Sequence, residues 1–370
     1  MKRLLLVGGG HAHLSVLRAL ARTKPAGVEV VLVTPALYQN YSGMLPGWMA
    51  GHYTLAQCRI DLQLLAQAAD VQIVVERIVG IDAARRHVTL ADGRQLDHDI
   101  LSLDVGSEID TSALEMAADK LLPVKPLDGF FEAWPRILAM AQSKTPGKLT
   151  YRLVVVGGGA AGVELALAAQ HAFACAGCAV RVDLVVGESG LLAGFAVGAR
   201  RRAAHFLEHA GVVLHRLRAV GVEQGVLLSD GTLLPADCVI AATGARAPAW
   251  LPSSQLTLDE KGYVAVDASH RSVSHDHVFA AGDVCARQDV ALARSGVHAV
   301  HAGPVLAANL LATLAGTPLT GYRPRRRSLY LLACGPQYAI ASWGGFSIAG
   351  RWVWRWKDRI DRGFIARFSN

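Results

Sequence analysis

Two glycine-rich turns are the residues in this sequence whose type and spacing best suit chemistry. The first reads Gly8-Gly9-Gly10-His11-Ala12-His13, and the second reads Gly157-Gly158-Gly159-Ala160-Ala161-Gly162. Glycine lets backbone N–H groups approach a pyrophosphate closely, and the N-terminus of a helix favours its negative charge. The second turn fits Gly-x-Gly-x-x-Gly fully, whereas the first has His13 at the third glycine position. Both turns predict dinucleotide binding.

The elements on either side of each turn support this prediction. The first turn follows a predicted strand over 3–7 and precedes a predicted helix over 14–21. The second follows a predicted strand over 153–156 and precedes a predicted helix over 163–174. Strand, glycine turn and helix open the βαβ unit of dinucleotide-binding folds.

A second internal repeat comes from a different part of the sequence. Residues 91–107 align without gaps on residues 229–245, and each copy has an Asp-Gly hairpin signal, an apolar strand and a closing glycine, Gly106 or Gly244. We therefore predict an α/β fold with two Rossmann-like dinucleotide-binding domains, the second inserted in the first, and a C-terminal segment. The predicted boundaries are 1–122 with 256–325, then 123–255, then 326–370.

Composition narrows the class of protein further. The chain has 370 residues, of which 52% are apolar, and this excludes intrinsic disorder. No apolar run reaches the roughly 18 residues of a membrane-spanning helix, so we expect a cytoplasmic protein. Six cysteines are too sparse for a disulfide scaffold, and the lone C-x-x-C of Cys175 and Cys178 lacks the further ligands of a metal site.

The positive charge is concentrated in one segment. The chain carries a net charge of +7, and residues 321–370 alone contain ten Lys or Arg against two Asp. This argues against a nucleic-acid-binding face. Within 351–368, apolar side chains recur every four residues, and we expect them to lie on one side of a helix: Trp352, Trp356, Ile360, Phe364 and Phe368. A basic amphipathic helix of this kind either lies on a membrane surface or closes over another domain or subunit.

A third motif makes the family recognisable. A predicted strand ends in Ala281-Gly282-Asp283, and with the two glycine turns the chain resembles flavoproteins of the pyridine nucleotide-disulfide oxidoreductase superfamily. The resemblance implies that FAD and NAD(P)H are bound. It assigns to FAD the residues Gly8, Gly10, His11, His13, Thr34, Gly106, Gly282 and Asp283. It assigns to NAD(P)H the residues Gly157, Gly159, Gly162, Glu164, Glu188 and Gly244.

Departures from the family pattern qualify these assignments. His13 is either a pocket histidine near the FAD phosphates or a spacer between helix and strand, and Thr34 stands where an acid usually binds ribose. Glu188 favours NADH, because a carboxylate binds the ribose hydroxyls and repels a 2′-phosphate. Arg181 or the Arg200-Arg201-Arg202 cluster could fold back toward this site and weaken the preference. The family's paired cysteines are missing from residues 38–47, which argues against glutathione or lipoamide chemistry.

The tail is similar to a smaller branch. Residues 331–368, with the loop Tyr41 to Gly47, resemble type II NADH dehydrogenases, sulfide:quinone reductases and a group also found fused to selenophosphate synthetase. This implies an enzyme that passes hydride from NAD(P)H to FAD and electrons to a small-molecule acceptor, with a quinone as first expectation. Tyr41, Pro46 and residues 335–343 are the expected acceptor wall, with Glu164 facing the nicotinamide. The alternative is a flavin-binding redox sensor or interaction protein, with a link to selenium metabolism left open.

Overall fold

A computed structural model describes residues 1–144, 150–292, 294, 296–325 and 327–369. Its helices are α1 (His11–Arg22), α2 (Leu45–Met49), α3 (Leu62–Ala69), α4 (Leu127–Lys144), α5 (Ala160–Cys175), α6 (Val197–His209), α7 (Gly296–Ala315) and α8 (Arg351–Ser369). Its strands are β1 (Lys2–Val7), β2 (Val28–Thr34), β3 (Tyr38–Asn40), β4 (Arg59–Asp61), β5 (Gln72–Val75), β6 (Ile78–Asp82), β7 (His87–Leu90), β8 (Gln95–Asp97), β9 (Ile100–Leu103), β10 (Glu108–Ile109), β11 (Leu121–Pro123), β12 (Tyr151–Val156), β13 (Val180–Val185), β14 (Val213–His215), β15 (Ala219–Val222), β16 (Gly225–Leu228), β17 (Leu233–Pro235), β18 (Cys238–Ala241), β19 (Ala245–Arg246), β20 (Val264–Val266), β21 (Val278–Ala280), β22 (Cys285–Arg287), β23 (Leu329–Ala333), β24 (Ala339–Trp343) and β25 (Phe346–Gly350).

The first domain is built on a parallel sheet with the strand order β21-β9-β1-β2-β5. Side chains of β1 alternate between two cores. Leu4 and Leu6 pack in a core with residues of α1 and α7, whereas Leu5 and Val7 pack in another on the opposite face. A sheet covered on both faces requires the continuous apolar run that the sequence has here.

The second domain repeats this plan with the order β11-β18-β12-β13-β14. Its strands lie between residues 121 and 241, whereas those of the first sheet lie at 2–103 and 278–280. The chain therefore has the predicted α/β fold of two Rossmann-like domains, with the second inserted in the first. The predicted domain boundaries stay a prediction; the one after residue 122 falls inside β11, and residues 326 and 370 lie outside the described residues.

The repeat of 91–107 on 229–245 forms two hairpins of the same geometry. Gly93 and Gly231 have φ of +88° and +87°, a conformation that favours glycine. In each hairpin the glycine N–H donates to the carbonyl three residues earlier, Leu90 or Leu228, at 3.0 Å. The chain then enters β9 or β18, so each hairpin delivers a strand beside the strand that carries a glycine turn.

The C-terminal segment consists of the antiparallel sheet β23-β24-β25 and helix α8. Phe364 and Phe368 of α8 pack into the core of the first domain. Trp352, Trp356 and Ile360 are instead exposed by 53%, 40% and 43%. The predicted single apolar side is therefore wrong: the buried stripe runs through Val353, Lys357, Asp361, Phe364 and Phe368.

One helix corrects the expectation that no segment is long and apolar enough to span a bilayer. Within the described residues, α7 passes that test by length and composition. In the structure α7 packs against α1, where a Cβ atom at Gly303 would lie 2.8 Å from the Ser15 hydroxyl. Its buried residues Ala302, Leu306 and Leu310 face the first domain, and this packing accounts for its apolar composition.

Candidate active site

The first glycine turn is compressed against the end of β9. Gly8 has φ of +96°, and a Cβ atom there would collide with the carbonyl oxygen of Asp104. A Cβ atom at Gly10 would collide with the Asp104 side chain. Helix α1 begins at His11, three residues earlier than predicted, so its N-terminal N–H groups belong to the turn. This construction places a helix N-terminus at the carboxyl edge of the sheet, where α/β folds bind ligands.

The second glycine turn has the same construction and an open side. A Cβ atom at Gly157, whose φ is +141°, would collide with the Ala242 carbonyl oxygen, and one at Gly162 would collide with the Gly157 carbonyl oxygen. Beside Gly159 there is no heavy atom within 4 Å of the Cβ position among the described residues, and the same holds for Gly244. The turn is therefore closed toward the sheet and open toward a ligand.

His13 stands at the position of the third glycine, and both of its ring nitrogens form hydrogen bonds. Its side chain is fully buried, with Nδ1 donating to the Gly8 carbonyl oxygen at 2.6 Å and Nε2 lying 2.8 Å from the Ser102 hydroxyl. Burial lowers its pKa to about 4, so the ring is neutral. Both ring nitrogens are therefore engaged beneath the turn. This favours the interpretation of His13 as a spacer between helix and strand over that of a histidine in the FAD pocket.

Asp283 lies beyond the end of β21, beside Lys125. The Lys125 ammonium is 3.0 Å from an Asp283 carboxylate oxygen, and the Ser107 hydroxyl donates to the same oxygen at 3.4 Å. Gly106, with φ of +75°, has open space at its Cβ position. Sequence reasoning missed Lys125, because the strand that positions it, β11, is only three residues long.

His11 points one unpartnered ring nitrogen into the same region. Its Nε2 is buried and has no hydrogen-bond partner among the described residues. The ring contacts Tyr41 and Phe364, each with centroids 5.6 Å apart. Burial lowers the His11 pKa to about 4, opposed by Asp283. A neutral histidine with a free nitrogen beside a carboxylate and an ammonium is suited to a polar ligand.

A four-residue polar cluster joins the two domains and α8. The Lys357 ammonium lies 2.6 Å from an Asp361 carboxylate oxygen and donates to the Gly43 carbonyl oxygen at 2.6 Å. The Tyr41 hydroxyl donates to the other Asp361 oxygen at 3.2 Å. Lys357 and Asp361 were not predicted as site residues; their only sequence signal is an i,i+4 pair on the stripe with Val353.

Glu164 completes this cluster from α5. A carboxylate oxygen accepts from the Ala333 N–H at 2.7 Å. Burial raises the Glu164 pKa to about 7, opposed by the Lys357 charge and reinforced by Asp361. Glu164 is therefore a group that can exchange a proton near neutral pH, and it lies with Tyr41 in one electrostatic cluster.

The remaining predicted site residues lie around this centre or away from it. Pro46 is buried in α2, which packs on α5. The predicted wall 335–343 starts at Gly335, whose carbonyl oxygen lies 2.7 Å from His52 Nε2, and ends at Trp343, which is 50% exposed. The Thr34 hydroxyl donates to the Ala36 carbonyl oxygen at 3.1 Å, within its own loop.

Glu188 and the cysteines lie apart from the cluster. The exposed Glu188 carboxylate pairs with Arg218, at 2.9 Å, rather than with Arg181. All six cysteines are free thiols. Cys334 is buried, and burial raises the pKa of its thiol, whereas Cys175 is exposed at the end of α5.

The residues present fit FAD and a nicotinamide dinucleotide. The second turn offers a helix N-terminus with open space beside Gly159. The first turn offers a helix N-terminus at which the Asp104 side chain already lies, and Asp283 can accept hydrogen bonds from polyol hydroxyls. The free His11 nitrogen and the Lys125 ammonium supply further polar contacts near Asp283.

Comparisons with known proteins identify the family of the chain. Residues 2–303 match the family model described as pyridine nucleotide-disulphide oxidoreductase. An NADH dehydrogenase-like protein of Mycobacterium tuberculosis is 30% identical over 307 residues, covering 77% of this chain and 73% of that protein. The ferredoxin–NAD(+) reductase component of a biphenyl dioxygenase system from Paraburkholderia xenovorans is 29% identical over 293 residues, covering 76% and 67%.

A solved structure extends the likeness to the C-terminal segment. The sulfide:quinone oxidoreductase of Aquifex aeolicus superposes with a TM-score of 0.81 at 15% identity, covering 100% of this chain and 92% of that one. The names of the relatives do not favour the alternative of a sensor, and the similarity to a group fused to selenophosphate synthetase stays a prediction. The chain belongs to the pyridine nucleotide-disulphide oxidoreductase family and is an FAD-dependent NAD(P)H oxidoreductase.

Proposed function

We propose that this oxidoreductase takes electrons from NADH and delivers them to a quinone, without a redox-active disulfide. The observation that carries the proposal is the cluster of Glu164, Lys357, Asp361 and Tyr41 between the nucleotide domains and α8. Reduction of a quinone to a quinol consumes two electrons and two protons. NADH supplies both electrons and one proton as hydride, so the site must provide one more proton.

Glu164 is the residue best suited to provide that proton. A general acid works best when its pKa lies near the working pH, and burial raises the pKa of Glu164 to about 7. The Lys357 ammonium stabilises the carboxylate that remains after the proton has left. The Lys357 ammonium uses two of its three N–H groups on Asp361 and Gly43, so the third can donate to a quinone oxygen. Bound FAD supplies the two-electron chemistry that links nicotinamide and acceptor.

The cofactor preference is proposed from the charge at Glu188. A carboxylate accepts hydrogen bonds from the ribose 2′- and 3′-hydroxyls and repels a 2′-phosphate, which favours NADH. Its partner Arg218 weakens this repulsion, because the guanidinium lies 2.9 Å from the carboxylate. We expect Glu188→Gln to reduce the ratio of kcat/KM for NADH over NADPH, whereas Arg218→Gln should raise it. An unchanged ratio in both variants would contradict this assignment.

The exposed aromatic surface favours a place on the membrane, where quinones dissolve. We define this tail surface as Trp343, Phe346, Trp352, Trp356 and Ile360, which are exposed by 40–73%. Arginines flank it, with the Arg327 guanidinium 5.8 Å from the Trp343 ring centroid. Exposed tryptophans among arginines suit an anionic lipid surface. We propose a cytoplasmic protein that binds peripherally to the inner face of the cell membrane.

Anaerobic kinetics test the acceptor. The holoenzyme is reduced with one equivalent of NADH and mixed with a short-chain quinone while flavin absorbance is followed. Rapid reoxidation that slows strongly in Glu164→Gln, but not in the exposed control Glu132→Gln, is the expected result. If the reduced enzyme does not react with the quinone but is reoxidised by a ferredoxin, the proposal that a quinone is the acceptor is wrong. If the reduced enzyme reacts with neither acceptor, the result would instead support the alternative of a flavin-binding redox sensor.

Vesicle binding tests the location. Sedimentation with vesicles of phosphatidylcholine alone, or with added phosphatidylglycerol, should show binding only to the anionic set. The double variant Trp352→Ser, Trp356→Ser should lose binding, whereas Met116→Ser, which changes an apolar side chain 71% exposed elsewhere, should keep it. Self-association of the wild-type protein that the tryptophan variant abolishes, without vesicle binding, would instead identify a subunit contact.

A further inference from the structure

Asp104 occupies the helix N-terminus at which the FAD pyrophosphate is expected. The residue follows β9 and is 3% exposed. One carboxylate oxygen, Oδ2, accepts from the N–H groups of Ala12 at 2.7 Å and His13 at 2.9 Å. A Cβ atom at Gly282 would lie 2.6 Å from Oδ1. The side chain therefore lies between the first glycine turn and the Gly-Asp segment, the two parts of the chain that hold FAD.

The second domain provides an internal comparison. In the repeat of 91–107 on 229–245, Asp104 aligns with Ala242. The carbonyl oxygens of both residues contact the first glycine of their turns, Gly8 and Gly157. Ala242 has no side-chain acceptor, so a carboxylate at the helix N-terminus distinguishes the FAD domain from the NAD(P)H domain. The second domain shows that the fold itself does not require this carboxylate. The role of the Asp104 carboxylate must therefore lie in its own surroundings.

The charges around Asp104 disfavour an additional anion. The titratable groups that act on Asp104 are His13 of α1, through its N–H, Asp283 and Cys285. His11 and Lys125 lie beside Asp283. Burial raises the pKa of Asp104 to about 7, opposed by the two N–H bonds, and the Asp283 charge raises it further. A pyrophosphate brings two negative charges to the same helix end. Protonating Asp104 removes the repulsion between them.

We propose that Asp104 is a proton-carrying positioning residue of the FAD site, which holds the cofactor as a neutral carboxylic acid. Since Oδ2 accepts two N–H bonds, the proton belongs on Oδ1, which lies toward Gly282. From there the hydroxyl donates to an oxygen of the pyrophosphate or of the adjoining ribityl chain. FAD binding and proton uptake are then coupled, independently of which acceptor the enzyme uses.

Dilution of the holoenzyme measures this coupling without any activity assay. Free FAD is quantified by fluorescence after serial dilution between pH 6 and 9. The dissociation constant should rise by up to about tenfold per pH unit above pH 7, because each complex retains a proton that the free site loses. The pKa values of His11 and His13, about 4, and of Cys285, about 12, lie outside this range.

Two variants assign the proton. Asp104→Asn keeps an oxygen for the Ala12 and His13 N–H groups and a donor toward Gly282, so it should bind FAD with a flat pH profile. Glu164→Gln removes the other carboxyl group with a pKa of about 7 and should keep the slope. A flat profile in the wild-type protein overturns the proposal even if the Asn variant fails to fold. A slope that survives in Asp104→Asn, or vanishes in Glu164→Gln, overturns it as well.

Discussion

Replacing Glu164 with glutamine should stabilise the protein at alkaline pH while it impairs the enzyme. The folded state holds the Glu164 proton more tightly than the unfolded chain does, since burial raises the pKa from 4.5 to about 7. The folded protein therefore loses stability as the pH rises through this window, and the loss is complete above pH 7. The full shift corresponds to about 3 kcal/mol, and solvent screening of a partly exposed carboxylate reduces it to about 1–3 kcal/mol.

The glutamine variant isolates this effect because its side-chain oxygen still accepts from the Ala333 N–H. Denaturant unfolding of the holoenzyme, followed by circular dichroism at pH 5 and pH 8, should show a gain at pH 8 that largely disappears at pH 5. The exposed control Glu132→Gln should show no such difference. A variant that is equally stable relative to wild type at both pH values would refute the reasoning that Glu164 is ionised at a cost. Loss of quinone reduction together with gained stability would identify the carboxylate as retained for chemistry.

Three further substitutions probe the turns and the cluster. Gly162→Ala should abolish flavin reduction by NADH but leave FAD bound, because its Cβ atom collides with the Gly157 carbonyl oxygen; absorbance spectra before and after NADH addition check both. Lys357→Met should lower the free energy of unfolding by about 3–5 kcal/mol, since it leaves the Asp361 carboxylate buried and unpaired, and the Lys357→Met, Asp361→Leu double variant should recover most of the loss. His13→Ala should cost about 2–4 kcal/mol in denaturant unfolding, through a cavity and the lost hydrogen bonds to Gly8 and Ser102.

Local signals predicted the scaffold well. The glycine turns and the Asp-Gly hairpins are short, and their backbone conformations restrict the residue type directly, so the fold and the two nucleotide domains could be read from the sequence. Repetition added confidence that one motif alone could not give. The predicted starts of α1 and α5 are three residues too late, because each helix begins directly after Gly10 or Gly159, within the glycine-rich motif.

Contacts between distant segments were not predictable in this way. Lys125 meets Asp283, and Lys357 and Asp361 meet Tyr41 and Gly43, only after the domains and α8 have packed. In the sequence alone, a charged residue next to a short strand or on an amphipathic helix cannot be told from one that is exposed to solvent. Asp104 was visible only as part of a repeat, and its mismatch with Ala242 was the available signal.

The predicted apolar face of α8 is wrong for a geometric reason. Residues four apart on an α-helix drift by about 40° at each step, so Trp352 and Phe368 cannot share one narrow face. The buried stripe corrects the drift with a three-residue step between Asp361 and Phe364. The C-terminal aromatics of this helix dock on the first domain, whereas Trp352 and Trp356 stay exposed, and contact of α8 with a membrane stays a proposal.

Helix α8 has two faces with different sets of side chains, and this limits the substitutions that its sequence can accept. One face contributes Lys357 and Asp361 to the polar cluster, and the other carries Trp352, Trp356 and Ile360 into solvent. Deleting α8 would remove the polar pair and the exposed aromatic side chains together. A truncated protein without activity therefore could not show which of the two sets of side chains the activity requires. Point changes on the outer face alone can separate the two, and if the proposed membrane contact is right, a homologue with a polar outer face should not bind vesicles.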